Sequence, residues 1–311
     1  MSDYFYKRVD ESCYKDLVYL FEAAFNTKTD INYYRHKMDT GYLGVRHLGY
    51  VAYDESMKPA AFYGVYPYKT EYKGKEYLAA QSGDTMTHPS HTGKGLFTTL
   101  AKMTYQLAKE EGIQFIFGYP NQNSYPGFVK KLSWTHRENM TNYVINVVTF
   151  PCAAIAKKVP FLLPLHKRYV RFVAGFYPSK KIFLASSVIN LQYGGVIRNE
   201  EFHRYKSYYD NYLVDLGGCT AWVKVDGSLA IGDIELQDAA HVTTVIRKIK
   251  KLAFWLGCNK ILFAVGKDTN WDLLLKGKYE NMEGIPVGYL DLQSGLPLEN
   301  MKYIMADYDT F

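Results

Sequence analysis

The stretch Gln81-Ser-Gly-Asp-Thr-Met-Thr-His-Pro-Ser-His-Thr-Gly-Lys-Gly-Leu-Phe97 holds the residue types and spacing best suited to chemistry in this chain. A β-like run ends near Thr87, a tight loop carries Gly93 and Gly95, and an amphipathic helix begins at Leu96. A helix start offers unpaired backbone N–H groups and the positive end of its dipole to an anion, most often a phosphate. The two glycines let the backbone approach such a ligand with no Cβ in the way, and Lys94 adds a formal charge. A Walker A loop needs GxxxxGK[ST], which Gly93-Lys-Gly-Leu does not supply. A dinucleotide fingerprint needs a third glycine where Thr98 stands, and this loop follows a meander and not a first βα turn. His88 and His91 flank Pro89 without further ligands at metal spacing, so loop packing or a weak phosphate contact is expected of them and no metal site.

The elements that must position this loop are legible around it. Phe5 to Val9 reads as a short strand. Ser12 reads as the cap of a helix ending near Asn26, and a second helix runs from about Asp30 to Thr40. Leu48–Tyr53, Pro59–Tyr72 and Glu76–Thr87 form an antiparallel meander with turns at Glu55/Pro59 and Lys73-Gly74-Lys75. The helix from Leu96 to Glu111 lines up Leu96, Leu100, Met103 and Leu107 and stops at Gly112. Ile113–Tyr119 is a buried strand, Ser124 or Asn123 caps a short helix through Leu132, and Trp134–Val148 is strand-like again.

The last third repeats this order. A helix from Asp238 to Leu256 stops at Gly257, Lys260–Val265 is a buried strand, Trp271–Leu275 a short helix and Pro286–Leu292 a strand. At the position of the phosphate loop the second copy has Glu235-Leu-Gln-Asp-Ala239, whose carboxylates would repel a phosphate. Between the copies, residues 139–199 contain no Asp or Glu, while Lys157, Lys158, Lys167, Arg168, Arg171, Lys180 and Lys181 are basic. Prolines 151, 160, 164 and 178 break this stretch, and it is read as a connection along a domain interface in preference to a membrane-surface segment. The expected organisation is therefore residues 1–150, a linker 151–189, and 190–311. The fold class is α/β with two mostly antiparallel mixed sheets, each with helices on both faces.

Composition bounds the function. With 37 basic and 31 acidic residues in 311, the net charge of +6 suits anionic small molecules but is no nucleic-acid footprint. Apolar content of 48% fills two cores. Cys13, Cys152, Cys219 and Cys258 show no CxxC spacing and read as reduced thiols. No apolar run reaches the roughly 20 residues of a membrane span, and the first residues lack a signal-peptide core. The expectation is a cytoplasmic protein; the oligomeric state is not encoded in these patterns.

The loop with its flanking strand and helix resembles motif A of the Gcn5-related N-acetyltransferases, Q/R-x-x-G-x-G/A, which holds the pyrophosphate of acetyl-coenzyme A. The pattern falls on Thr92, Gly93, Lys94, Gly95, Leu96 and Phe97; Gly95 is kept, while Thr92 and Phe97 depart from it. Asn121 after the buried strand and Phe128-Val-Lys-Lys-Leu-Ser-Trp134 resemble the family's later elements, with Ser133 and Trp134 for Gly-Phe. The doubled frame with one loop is similar to the tandem enhanced-intracellular-survival acetyltransferases and to Fem-type peptidyltransferases.

The resemblance implies acetyl-CoA as acyl donor and a small-molecule amine, such as an amino sugar, as acceptor. It implies cofactor contacts from the strand at Met86 and Thr87, from Thr92 to Phe97, and from Asn121 and Ser124. Asp84 is the nearest carboxylate for a general base and, on alternation, shares a face with Ser82 and Met86. Tyr125 or Tyr119 is the candidate acid. The carboxylate of Phe311 is a further candidate base, with Asp307 and Asp309 nearby, because survival-type enzymes use their own C-terminus. The alternatives are a Fem-type aminoacyl transferase and a non-catalytic acyl-CoA-binding protein.

Overall fold

The computed structural model describes residues 4–235 and 241–311. Residues 236–240, which include most of the acidic stretch read against the loop, lie outside them. The chain divides into two compact units, Met1–Arg137 with Pro286–Glu299, and Glu138–Ile285 with Asn300–Phe311.

In the first unit β1 (Phe5–Arg8), β2 (Leu48–Tyr53), β3 (Pro59–Tyr72) and β4 (Lys75–Thr87) pair antiparallel in sequence order. β5 (Phe115–Gly118) joins β4 in parallel through α3 (Leu96–Glu110), and residues 288–291 pair antiparallel with β5 on its far side. The remaining helices are α1 (Tyr14–Phe25), α2 (Ile31–Lys37) and α4 (Tyr125–Lys131). α3 starts after Gly95, held at φ +79°, and stops at Gly112, at φ +85°. It buries Leu96, Leu100, Ala101, Tyr105, Leu107 and Ala108 against Val65, Ala80, Ile116 and Trp134, while Met103 lies at the margin of that face. Each fully buried leucine contributes about 1.5–3 kcal/mol, so this stripe fixes where the helix start is held. α1 and α2 cover the other face of the sheet, where Tyr34 bonds Met86. Asp10, and not Ser12, caps the turn that leads into α1.

In the second unit β6 (Thr135–Asn146) pairs antiparallel with β11 (Lys260–Val265), from Thr141 onward. α5 (Cys152–Lys158), α6 (Leu163–Ala174), the two-residue β7 (Gly195–Val196) and α7 (Glu200–Lys206) precede the meander β8 (Asn211–Asp215), β9 (Thr220–Val225) and β10 (Leu229–Ile234). α8 (Val242–Trp255) then carries the chain to β11, parallel to β10, and α9 (Asn270–Leu275) and β12 (Glu280–Asp291) follow. The order meander, helix, parallel strand, short helix thus occurs in both units. The sequence expectation differs in three places. The first boundary falls at Arg137, residues 286–299 belong to the first unit, and residues 151–189 hold two helices. Prolines 151, 160 and 164 sit at or before helix starts, where a missing N–H costs nothing, so they begin these pieces and do not break them.

Candidate active site

β4 and β5 pair only from Ala79 to Ser82 against Phe115 to Gly118. Beyond that point β4 keeps its partner β3 on one side, and among the described residues no strand lies beside its other side from Gly83 to Thr87. The departure begins at an irregularity: Gly64 pairs with Gly83 and Phe62 with Met86, so β4 spends one more residue there than β3. Asp84 takes φ +48° in this bulge. The left-handed residue changes which way side chains point. Ser82 hydrogen-bonds Tyr63 at 2.8 Å on the α3 face, whereas Asp84 and Met86 meet α2 on the opposite face. Asp84 thus shares a face with Met86 but not with Ser82; plain alternation fails because the bulge intervenes.

The loop after β4 is tied down by its histidines. His88 stacks on Tyr19 and bonds its hydroxyl at 3.1 Å; His91 bonds the Tyr4 hydroxyl at 2.9 Å and lies 3.8 Å from Asp54. Burial, and then the Lys94 charge, lower the His91 pKa. Among the described residues no group of three or more potential metal ligands occurs. Thr92 donates to the Pro89 carbonyl, and Gly93 and Gly95 both sit at positive φ with open space where a Cβ would stand. The first intrahelical bond of α3 runs from Thr99 N–H to Gly95 C=O, which leaves the N–H groups of Leu96, Phe97 and Thr98 at the helix end. Lys94 is exposed beside them.

Phe97 stands where the motif has Gly or Ala, and its ring turns inward. It packs edge-on to Tyr63 and Phe128 and against Gly127, where a Cβ would lie 2.8 Å from the ring. Its backbone N–H stays at the helix end, toward the loop. Ser133 takes φ +58°, the conformation a glycine would favour at that position, and Trp134 is buried with its Nε1–H on the Tyr105 hydroxyl at 2.9 Å. Asn121 Oδ1 accepts the N–H groups of Asn123 and Ser124, so Asn121 organises the start of α4. Tyr125, at the first position of α4, meets His136 edge-on at 5.4 Å.

Asp84 is not an isolated carboxylate. Its Oδ2 accepts from Lys37 Nζ at 2.9 Å and from the Tyr66 hydroxyl at 2.9 Å, and the Lys37 side chain is fully buried, with Tyr33 and Tyr66 rings beside the ammonium. Burial, with the Asp84 charge second, pushes the Tyr66 pKa well up. Gln81 pairs with Tyr66 in the register and so shares its face; among the described residues both ends of its buried amide lack a hydrogen-bond partner. Sequence reading missed Lys37, Tyr66 and Gln81. A lysine in the last turn of a short helix carries no sign that it will be buried.

Phe311 lies in the second unit, buried, with its ring edge-on to Trp222 at 5.3 Å and against Gly232. Asp307 is fully buried and holds Arg198, at 2.7 Å, which also binds Asp233. That makes Asp307 a structural ion-pair member and removes it from the candidate bases. Asp309 gives its carbonyl to the Tyr208 hydroxyl. All four cysteines are free.

Residues 6–137 match the family model described as acetyltransferase (GNAT) domain. The fold as a whole is similar to solved structures of GCN5-related N-acetyltransferases. One from Kribbella flavida has a TM-score of 0.56 at 10% identity, covering 94% of this chain and 72% of that one. Another, from Anabaena variabilis, has a TM-score of 0.56 at 13% identity, covering 92% and 72%. A GCN5-related glucosamine N-acetyltransferase region of a fungal multi-domain GH3 β-N-acetylglucosaminidase matches at 11% identity and a TM-score of 0.50, covering 93% of this chain and 38% of that one. No curated protein matches the sequence.

Proposed function

We propose that this chain, an acyltransferase by the GNAT domain at residues 6–137, moves an acetyl group from acetyl-CoA to the amine of a small molecule. The observation that carries the reading is the unit made by the β4 bulge, the two-glycine loop and the α3 start. It combines an open strand side with three helix-end N–H groups and an exposed lysine. A pyrophosphate suits the N–H groups from Gly93 to Phe97 with Lys94, and an extended pantetheine arm suits the open side of β4 at Met86 and Thr87. Asn121 and Ser124, at the start of α4, are the further contacts proposed for the cofactor.

Acetyl-CoA supplies the activated thioester; the chain supplies position, polarisation and proton transfer. A β4 N–H beyond the bulge polarises the acyl carbonyl. Asp84 is the proposed base: Lys37 and Tyr66 fix its Oδ2, leaving Oδ1 to take a proton from the acceptor ammonium. Tyr125 is the proposed acid for the departing thiolate. The unsatisfied Gln81 amide, on the face of Asp84 and Tyr66, supports an acceptor with hydroxyl groups, and amino sugars are the first class to test. In this reading the second unit repeats the frame and takes no cofactor. The retained Gly93-Lys-Gly95 loop speaks against a Fem-type aminoacyl transferase.

Titration calorimetry with acetyl-CoA tests the reading. Wild type should bind, and Gly95→Glu, which sets a side chain and a negative charge at φ +79°, should not. No binding by wild type, or equal binding by the variant, defeats it. Binding without thiol release across a broad amine panel would favour a non-catalytic acyl-CoA-binding protein.

A further inference from the structure

α6 has two apolar faces. Val170 and Val173 are buried in the second unit. On another side of the same helix and its flanks, Phe161, Leu165, Phe172 and Phe176 are 79, 67, 64 and 67% exposed. Their spacing draws one stripe along the helix. Tyr169 donates its hydroxyl to the Trp255 carbonyl at 2.5 Å, which brings the end of α8 beside that stripe, where Trp255 is half exposed. A helix that has already buried one face needs no second stripe of large side chains, and outward apolar surface of this extent marks a contact surface.

Charge says what the surface meets. Residues 139–199 hold no acid. Lys157, Lys167 and Lys181 are spent on Asp226, Asp210 and Glu235. Lys158 and Arg168 flank the stripe exposed, and Arg247 and Lys251 stand on α8 at i−7 and i−3 from exposed Phe254; among the described residues none of the four has an ion-pair partner.

We propose that this face of the second unit docks on an anionic lipid bilayer, the aromatic side chains entering the headgroup region and the unpaired basic side chains holding acidic headgroups. A second copy of the chain seated here would press basic residues against basic residues. No helix among the described residues is long and apolar enough to cross a membrane, so the contact is one of lying on the surface. The inference stands independently of the acetyl-transfer reading.

Trp255 supplies the probe, because Trp134, Trp222 and Trp271, the other three tryptophans, are all buried. The full chain is mixed with vesicles of phosphatidylcholine alone, or of phosphatidylcholine with phosphatidylglycerol, and followed by co-sedimentation and tryptophan emission. The expected result is binding to the anionic vesicles only, weakened by salt near ~0.5 M, with a blue shift that Trp255→Phe abolishes. Leu165→Ser with Phe172→Ser should weaken binding about tenfold or more, and Lys158→Glu with Arg168→Glu at least as much, each lost basic group counting for roughly fivefold. The wild-type lipid and salt dependence needs no variant and guards against misfolded ones. Equal binding to neutral vesicles, no binding to either, or a concentration-dependent dimer dissolved by the apolar substitutions would each overturn the proposal.

Discussion

Lys37→Met removes one partner from the ion pair beneath the β4 bulge. The side chains of Lys37 and Asp84 are 0 and 9% exposed, and their atoms lie 2.9 Å apart. Screening by water is therefore weak, and the pair belongs with buried ones, where removing a single partner costs about 3–5 kcal/mol because the other charge is stranded. For a unit of this size each kcal/mol lowers the melting temperature by about 2–4 °C, so the low end of that range corresponds to roughly 6–12 °C. Asp84→Asn is the complementary variant, since asparagine accepts φ +48° and keeps a hydrogen bond to Tyr66 while losing the charge. The double variant strands nothing and should lose less than the sum of the singles, with a coupling of about 2 kcal/mol or more. Urea unfolding followed by circular dichroism, with calorimetry to separate the two units, measures all four proteins. Acetyl-CoA affinity of Lys37→Met should hold within about threefold, because the loop and helix end are untouched. Single variants that each cost under about 1 kcal/mol and combine additively would refute the argument.

In the first unit, Tyr105→Phe should cost about 1–3 kcal/mol, since it strips an acceptor from the buried Trp134 Nε1–H and a partner from Tyr63; the same change at Tyr77 should be nearly silent in the same urea series. In the second unit, burial holds the Lys224 ammonium at about 8. Between there and the unfolded value near 10.5 the unfolded chain binds more protons, so stability should rise with pH across that window. Below it both states are protonated and the folded one bears the buried charge. Lys224→Met should remove the rise in urea midpoint between about pH 8 and pH 10.

Much of the first unit was legible because its signals are local. The strands Leu48–Tyr53 and Pro59–Tyr72, the loop glycines and the α3 stripe each follow from alternation, turn chemistry or helical period within a few residues. What stayed hidden depends on distant partners. The β4 bulge is a mismatch in residue count between two strands, so no reading of β4 alone reveals that Asp84 turns toward α2. Lys37 looks like a surface residue until Asp84 and Tyr66 close over it. The helices α5 and α6 were obscured because proline signals a break in a helix interior and a beginning at its first turn, and position alone separates the two. The acid-free stretch was visible as composition, whereas the outward stripe needed the structure.

Residues 288–291 close the sheet beside β5 about 170 positions after β5 itself, and this sets an order of events in synthesis. On a growing chain the first unit emerges with Phe115–Gly118 as an unclosed rim, whose free N–H and C=O groups can recruit any passing strand. A fragment ending near residue 150 keeps that rim permanently, and it should form clumps that a separately added segment spanning residues 286–299 suppresses. The first-made part of the unit therefore waits for residues 286–299 before its sheet is sealed.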